Sequence, residues 1–302
     1  MISAPQTKCE PLERQQIESR LNGCACLPSL SSIDSALKEL LGADQRYTSQ
    51  IAEIIRRDPS LSARLLRLVN SVYYGMSTPI RSIEEAVFYL GVRQIRQLAM
   101  VTPVIEDFQK LAGKTQFPWR DFWRHCIGTA VMTREIAEIV QPSRDEVDYL
   151  AGLIHDVGKI VMASAFPEHF HKIYHCRIQE AVDLPQLERE VLGMDHAELG
   201  AAYLKKQLLP AVFVEIARFH HEPERARSSQ QAVAAVQVAD LMVRQAKIGN
   251  SGNPAEVTEE SWLNSQGWQL LFAHKTEEER AITSSSLKHS LERIPNILEG
   301  LV

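Results

Sequence analysis

The sequence has no long apolar run. Its most apolar stretches, such as Ala151–Ile154 and Leu208–Val214, are short or interrupted. They fall well below the roughly 18–20 consecutive apolar residues a membrane-spanning helix needs. Residues 1–20 lack a basic region followed by an apolar segment, so no secretory leader is expected. Cysteine is scarce. Five residues (Cys9, Cys24, Cys26, Cys126 and Cys176) are odd in number and without framework spacing, which fits a reducing compartment better than a disulfide scaffold. Cys24 and Cys26 have no second cysteine pair with which to complete a zinc site. Basic charge is not in excess either: 33 Lys and Arg against 38 Asp and Glu leave a formal charge of −5. General nucleic-acid binding, which needs a basic field to neutralise phosphates, is therefore not expected. Arg56, Arg57, Arg93 and Arg96 have acidic residues interleaved with them and read as solvated helix faces. Alternating β-branched runs between tight turns are missing, as are fixed-period repeats and low-complexity tracts. What remains is a cytoplasmic, non-membrane, all-helical chain of 302 residues, 45% hydrophobic, long enough to bury a sizeable core.

Helix starts and stops are readable along most of the chain. Asp58-Pro59 sets a capping acceptor before a proline at the first helical position, and Leu61, Leu65, Leu66, Leu68 and Val69 follow with the spacing of a buried face. Gly75 breaks that pattern. Ser82 and Glu85 have the form of a capping box, and the helix they open stops at Gly91. A further helix runs from about Val92 to Pro103. A second capping box, Ser143 to Glu146, opens a helix leading to His155. Helices are also expected at 119–140, 186–192, 195–207, 210–221, 229–247 and 276–293, with 249–260 as a long surface loop. The implied organisation is an N-terminal arm (1–22), a helical lobe (23–112), a second helical lobe (113–250), and a loop with a helical tail (251–302). Gly113 and Pro118 mark the boundary between the lobes.

The chemistry-bearing residues are histidines and aspartates. His155-Asp156 closes the apolar segment Val147–Ile154. Adjacent residues on a helical turn diverge by about 100°, yet an ion against the end of that turn can be reached by both an imidazole nitrogen and a carboxylate oxygen. Two ligands cannot hold a catalytic ion, so others must come from elsewhere. His125 lies mid-helix among apolar neighbours, and Asp240 interrupts the otherwise apolar Val236–Met242. A lone buried histidine is ordinarily a hydrogen-bonded core residue and a lone aspartate ordinarily a cap. The set is harder to explain that way, because a buried carboxylate is costly without a cation beside it. His196, next to Asp195, and the pair His220-His221 are further candidates. Each has a structural alternative at a helix end, yet together they supply what a second ion needs, with Asp156 bridging. Asp121 lies one helical turn before His125 and can either cap or join the cluster. Lys159, three residues beyond Asp156, offers a point charge to a phosphate. Imidazole and carboxylate together suit divalent Fe, Mn, Ni or Zn.

A dense set of segments makes the chain resemble the HDOD family. These are Leu27-Pro28-Ser29-Leu30, Ile54 to Leu61, Arg64 to Ser71, Tyr74-Gly75, Ile83 to Val87 and Leu90-Gly91. The resemblance covers roughly residues 23 to 240. It implies an all-α, two-lobed architecture with an HD-like helical core in the second lobe, and a role in bacterial signal transduction through protein partners, usually without catalysis. His125, His155, Asp156 and Asp240 match the four-residue HD set, with Lys159 in the matching Gly-Lys. His196 and His220-His221-Glu222 resemble the added ligands of HD-GYP cyclic-di-GMP phosphodiesterases, with intervals of 30, 40 and 24 residues from His125 to His155, Asp156 to His196 and His196 to His220. Asp121 sits where some of those enzymes carry an acidic third-metal ligand. That resemblance implies a metal-dependent phosphohydrolase, with Asp156 and Lys159 in catalytic roles and a nucleotide as ligand. After Glu222, however, the phosphodiesterases' Asp-Gly and Gly-Tyr-Pro are replaced by Pro223-Glu224-Arg225-Ala226-Arg227. The change removes the residues that shape their substrate loop and leaves the ligand set untouched.

Overall fold

The computed structural model describes residues 10–23, 52, 55–56, 62, 66, 80–88, 117–141, 147–177 and 183–299. Among them the secondary structure is helical, with no strand, and the fold is all-α. The elements are α1 (Arg14–Gly23), α2 (Trp119–Val140), α3 (Val147–Ile154), α4 (Val157–Ala165) and α5 (Pro167–His171), the last running into a π-helical turn at Lys172–Arg177. They continue with α6 (Leu184–Leu192), α7 (His196–Lys206), α8 (Ala211–Phe219), a 3-10 turn at Pro223–Arg225, and α9 (Gln230–Gln245). The chain closes with α10 (Glu259–Leu263), α11 (Gln266–Phe272) and α12 (Glu277–Glu299). No single described helix is long and apolar enough to cross a membrane.

α2 is the central strut. It packs against α3, α9 and α12, while α7 packs against α4 and α8, so the two helix groups meet where α3 hands over to α4. That crossing needs Gly158. A Cβ there would lie 1.8 Å from the His196 carbonyl oxygen, so only glycine lets α4 and the start of α7 touch backbone to backbone. This contact brings Asp156 and His196 together.

The helices expected at 119–140, 186–192, 195–207, 210–221 and 229–247 are present with ends shifted by at most two residues, and the one expected at 276–293 runs on to Glu299. The structure corrects one expectation. The segment after α9 is not simply a surface loop: Ser251 is buried, and Gly249 (φ +67°) lies so close to α2 that a Cβ would sit 2.4 Å from the His125 nitrogen. It also ends in two short helices, α10 and α11, which periodicity missed because each is only five to seven residues long. Residues 10–23 of the N-terminal arm pack against the rest of the chain: Ile17 and Leu21 are buried, Leu12 N–H donates to the Leu192 carbonyl at 2.8 Å, and Arg20 pairs with Glu168 at 2.5 Å.

Around Ser82 the capping geometry is half as expected. The Ser82 hydroxyl accepts from Glu85 N–H at 3.1 Å, but the Glu85 carboxylate accepts from Arg81 N–H at 2.8 Å, one residue early. The Asp58-Pro59 cap, the Gly75 and Gly91 stops, the helix at 92–103, the Ser143–Glu146 box and the Cys24/Cys26 pair lie outside the described residues.

Candidate metal centre

Six elements converge on one buried point. α2 contributes His125, and the α3–α4 junction contributes His155 and Asp156. α7 contributes His196 at its first residue, the end of α8 contributes His220 and His221, and α9 contributes Asp240. All are buried except His221, which is half-buried.

Asp156 stands at the middle. Its Oδ2 faces His155 Nε2 at 3.4 Å and His125 Nε2 at 4.0 Å. Its Oδ1 faces His196 Nε2 at 3.2 Å and His220 Nε2 at 3.6 Å. Asp240 Oδ1 completes the first side, 3.1 Å from His125 Nε2 and 3.9 Å from His155 Nε2. His221 completes the second, its Nε2 2.9 Å from that of His196. Two triads each hold their ligand atoms within 4.8 Å of one another: His125, His155 and Asp156, and His196, His220 and His221.

Three of these rings are fixed by what holds the opposite nitrogen. His155 Nδ1 is 2.7 Å from the Gly152 carbonyl, and His220 Nδ1 is 3.0 Å from that of Ala217. Because a carbonyl only accepts, both Nδ1 atoms carry the proton and both Nε2 lone pairs point inward. His196 Nδ1 donates to Glu188 at 2.5 Å.

The electrostatics follow from burial and neighbours. Burial pushes His220 down to about 3, with nearby His155 adding to the effect, and pushes His221 well below the ordinary imidazole value. Burial also wins at His125, which is lowered despite Asp240 beside it. At His155 burial is outweighed by Asp156, and the ring is raised. His196 is raised to about 9 because the Glu188 carboxylate outweighs burial. The proton between the two facing Nε2 atoms therefore belongs to His196. Burial would raise both aspartates, but Lys159 and His155 hold Asp156 well below the carboxylate range, and His125 and Arg244 do the same for Asp240.

The donor set fits a divalent ion. His125 Nε2, His155 Nε2, Asp156 Oδ1 and His220 Nε2 are buried with no hydrogen-bond partner outside the cluster itself. Polar atoms buried this way are costly unless something meets them. Imidazole nitrogens and carboxylate oxygens directed at a common space are what a first-row divalent ion takes.

Two residues sit differently from the sequence expectation. Lys159 is buried rather than open to a phosphate; its Nζ donates to Asp156 Oδ2 at 2.6 Å and to the Ser251 carbonyl at 2.9 Å. The Asp121 side chain is half-exposed beside Arg124 at 3.9 Å, and its carbonyl accepts from Asn250 N–H at 2.9 Å.

Sequence reading missed Glu188, Arg244 and Ser251. A signal for Glu188 existed, since it falls in the apolar stripe Leu184, Leu187, Val191, Leu192 of α6. Arg244 lies one turn beyond Asp240, with Nη1 3.6 Å from its carboxylate. Ser251 acts through a backbone carbonyl and leaves no trace in residue type.

Comparison with known proteins agrees with this architecture. The HDOD domain model matches residues 27–223. An uncharacterized protein of Treponema pallidum (strain Nichols) is 27% identical over 270 residues, which make up 88% of this chain and 50% of that protein, so the chain spans half the length of this relative. Among solved structures, an HDOD domain protein of unknown function from Geobacter sulfurreducens superposes with a TM-score of 0.72 at 23% identity, covering 94% of this chain and 99% of the other. A candidate phosphohydrolase from Shewanella amazonensis SB2B superposes with a TM-score of 0.68 at 21% identity, covering 95% and 98%. With the family model spanning well over half its length and the helical architecture in agreement, this chain belongs to the HDOD domain family.

Proposed function

We propose that the protein is a signal-transduction regulator of the HDOD family built around a divalent metal centre that takes one or two ions. One observation carries the reading: the buried nitrogen and oxygen atoms of His125, His155, Asp156 and His220 meet no hydrogen-bond partner outside their own cluster. His125, His155, Asp156 and Asp240 would hold one ion, and His196, His220 and His221 with the other oxygen of Asp156 a second. When bound, such an ion supplies Lewis acidity and an anchor for an anionic ligand, a nucleotide phosphate being the natural class.

The regulatory reading is favoured over turnover by the protein's own contacts. Lys159 is already engaged by Asp156 and Ser251. The segment after Glu222 is committed to the scaffold: Arg227, Ser228 and Ser229 N–H groups all donate to the Glu215 carboxylate, at 2.8–3.3 Å. Output through protein partners accords with such a centre, because an ion that ties six elements together can set the pose of the surface they carry.

A second reading, a metal-dependent phosphohydrolase acting on a nucleotide or cyclic dinucleotide, is favoured by one feature. Asp156 presents a separate oxygen to each ligand group, as in two-metal phosphoesterases.

Metal analysis of protein purified without chelator tests the centre. At least one equivalent of a transition metal is expected, lost in Asp156→Ala; less than about one-fifth of an equivalent overturns the reading. Hydrolysis of a phosphodiester or cyclic dinucleotide by the loaded protein, absent in Asp156→Ala, would replace the regulator with the hydrolase.

A further inference from the structure

Helix α6 turns an amphipathic face inward through Leu184, Leu187, Val191 and Leu192, and Glu188 lies in the middle of that face, fully buried. A carboxylate there is strongly disfavoured unless hydrogen-bond donors surround it. Oε1 accepts from the Tyr174 hydroxyl at 2.8 Å. Oε2 accepts from His196 twice, from its backbone N–H at 2.8 Å and from its ring Nδ1 at 2.5 Å.

One oxygen thus grips both backbone and ring of the same residue, which fixes the position of His196 and the direction of its Nε2. That nitrogen points toward Asp156 Oδ1 at 3.2 Å and His221 Nε2 at 2.9 Å. His155 and His220, by contrast, are oriented by neutral backbone carbonyls three residues back on their own helices. Tyr174 is itself held: its ring stacks on Phe170 and meets Phe117 edge-on, with centroids 4.4 and 5.2 Å away.

We infer that Glu188 is the positioning residue of the second ligand group, holding His196 in the tautomer and pose that present Nε2 to an ion shared with His220 and His221, and that Tyr174 locks Glu188 in place. This rests on the metal-centre reading above. A charged partner on the far side of a ligating imidazole makes the ring a better donor as well as a fixed one.

The test compares the 302-residue wild-type chain with Glu188→Gln, Glu188→Ala and Tyr174→Phe. Glu188→Gln keeps the shape, and its amide oxygen can still accept from His196, while the charge and the oxygen that accepts from Tyr174 are lost. Calorimetric titration with Mn2+ should resolve a binding step that is abolished in His196→Ala. Glu188→Gln should weaken that step about tenfold, Glu188→Ala up to about a hundredfold, and Tyr174→Phe about threefold, while the step that depends on Asp240 changes by under about twofold.

A second readout needs no metal. Nitrogen-15 NMR of the histidines in the metal-free wild type should show an exchange-protected His196 Nδ1–H that survives in Glu188→Gln and disappears in Glu188→Ala. A wild type that binds Mn2+ with an affinity indifferent to Glu188, or that falls equally at both steps, overturns this inference alone. So does a missing Nδ1–H. A wild type that binds no metal overturns the metal reading and this inference with it.

Discussion

The two ligand groups share Asp156 and differ in how their charge is balanced. On the first side, Asp156 and Asp240 lie within reach of His125 and His155, and each carboxylate has its own cation, the buried Lys159 for Asp156 and the partly buried Arg244 for Asp240. On the second side the inward groups are three imidazoles, and the carboxylate, Glu188, stands behind His196 rather than facing the space. The first side is electrically closed by the protein itself. The second carries a proton on His196, where an ion would otherwise sit. An ion on the first side must therefore share Asp156 with Lys159, whereas one on the second displaces a proton.

The largest effect that bears on this contrast is expected from Asp156→Ala. It removes the ligand common to both sides and strands the Lys159 ammonium, so metal content should fall by more than about tenfold and the metal-free chain should lose about 3–5 kcal/mol. Loss of only one equivalent would break the picture of a shared carboxylate. Lys159→Met separates the sides. The metal-free chain should be destabilised by a few kcal/mol, up to about 3–5, because Asp156 loses its ammonium and keeps only imidazole partners. The loaded chain should be destabilised much less, since the ion replaces the lost cation. Thermal unfolding with and without Mn2+ measures the gap, and equal falls in both forms would show that Lys159 does not compete with an ion.

His221→Ala should act on the second side only. His221 is the one half-buried ligand, and its loss should weaken the corresponding Mn2+ step about tenfold with little change in stability. The smallest effect is the pH dependence of the metal-free chain. His196, raised to about 9, adds stability that is complete below the unfolded value of about 6.5 and fades as pH rises towards 9. His220, lowered to about 3, adds stability that is complete above 6.5 and fades as pH falls towards 3. The two fall away on opposite sides of that value, so the melting temperature should peak near pH 6.5. His196→Ala should weaken the alkaline arm, which His155 shares, and His220→Ala the acid arm, which His125 and His221 share; the reverse assignment would refute the proton placement.

Much of the candidate site was legible in the residues. His155-Asp156 at the end of an apolar helix, His125 in a buried helix and Asp240 in an apolar run are local anomalies, each visible because a polar group interrupts a periodic pattern. Glu188 interrupts one in the same way, yet its role is legible only once His196 is seen beside it, eight residues along and across a helix junction.

The sequence by itself determined most of the helices between residues 119 and 247 and the identities of the buried histidines and aspartates, because periodicity, capping and the cost of burying charge act within a few residues. Tertiary structure alone decided how those groups pair. Lys159 reaches a carbonyl 92 residues away, at Ser251. Gly158 lets α4 touch α7 so that Asp156 faces two ligand groups. The segment at 249–258 folds its first residues inward instead of lying wholly on the surface. Each of these depends on distances between segments far apart in the chain, set by the packing of helices against one another, and no local pattern of residue types records such a distance.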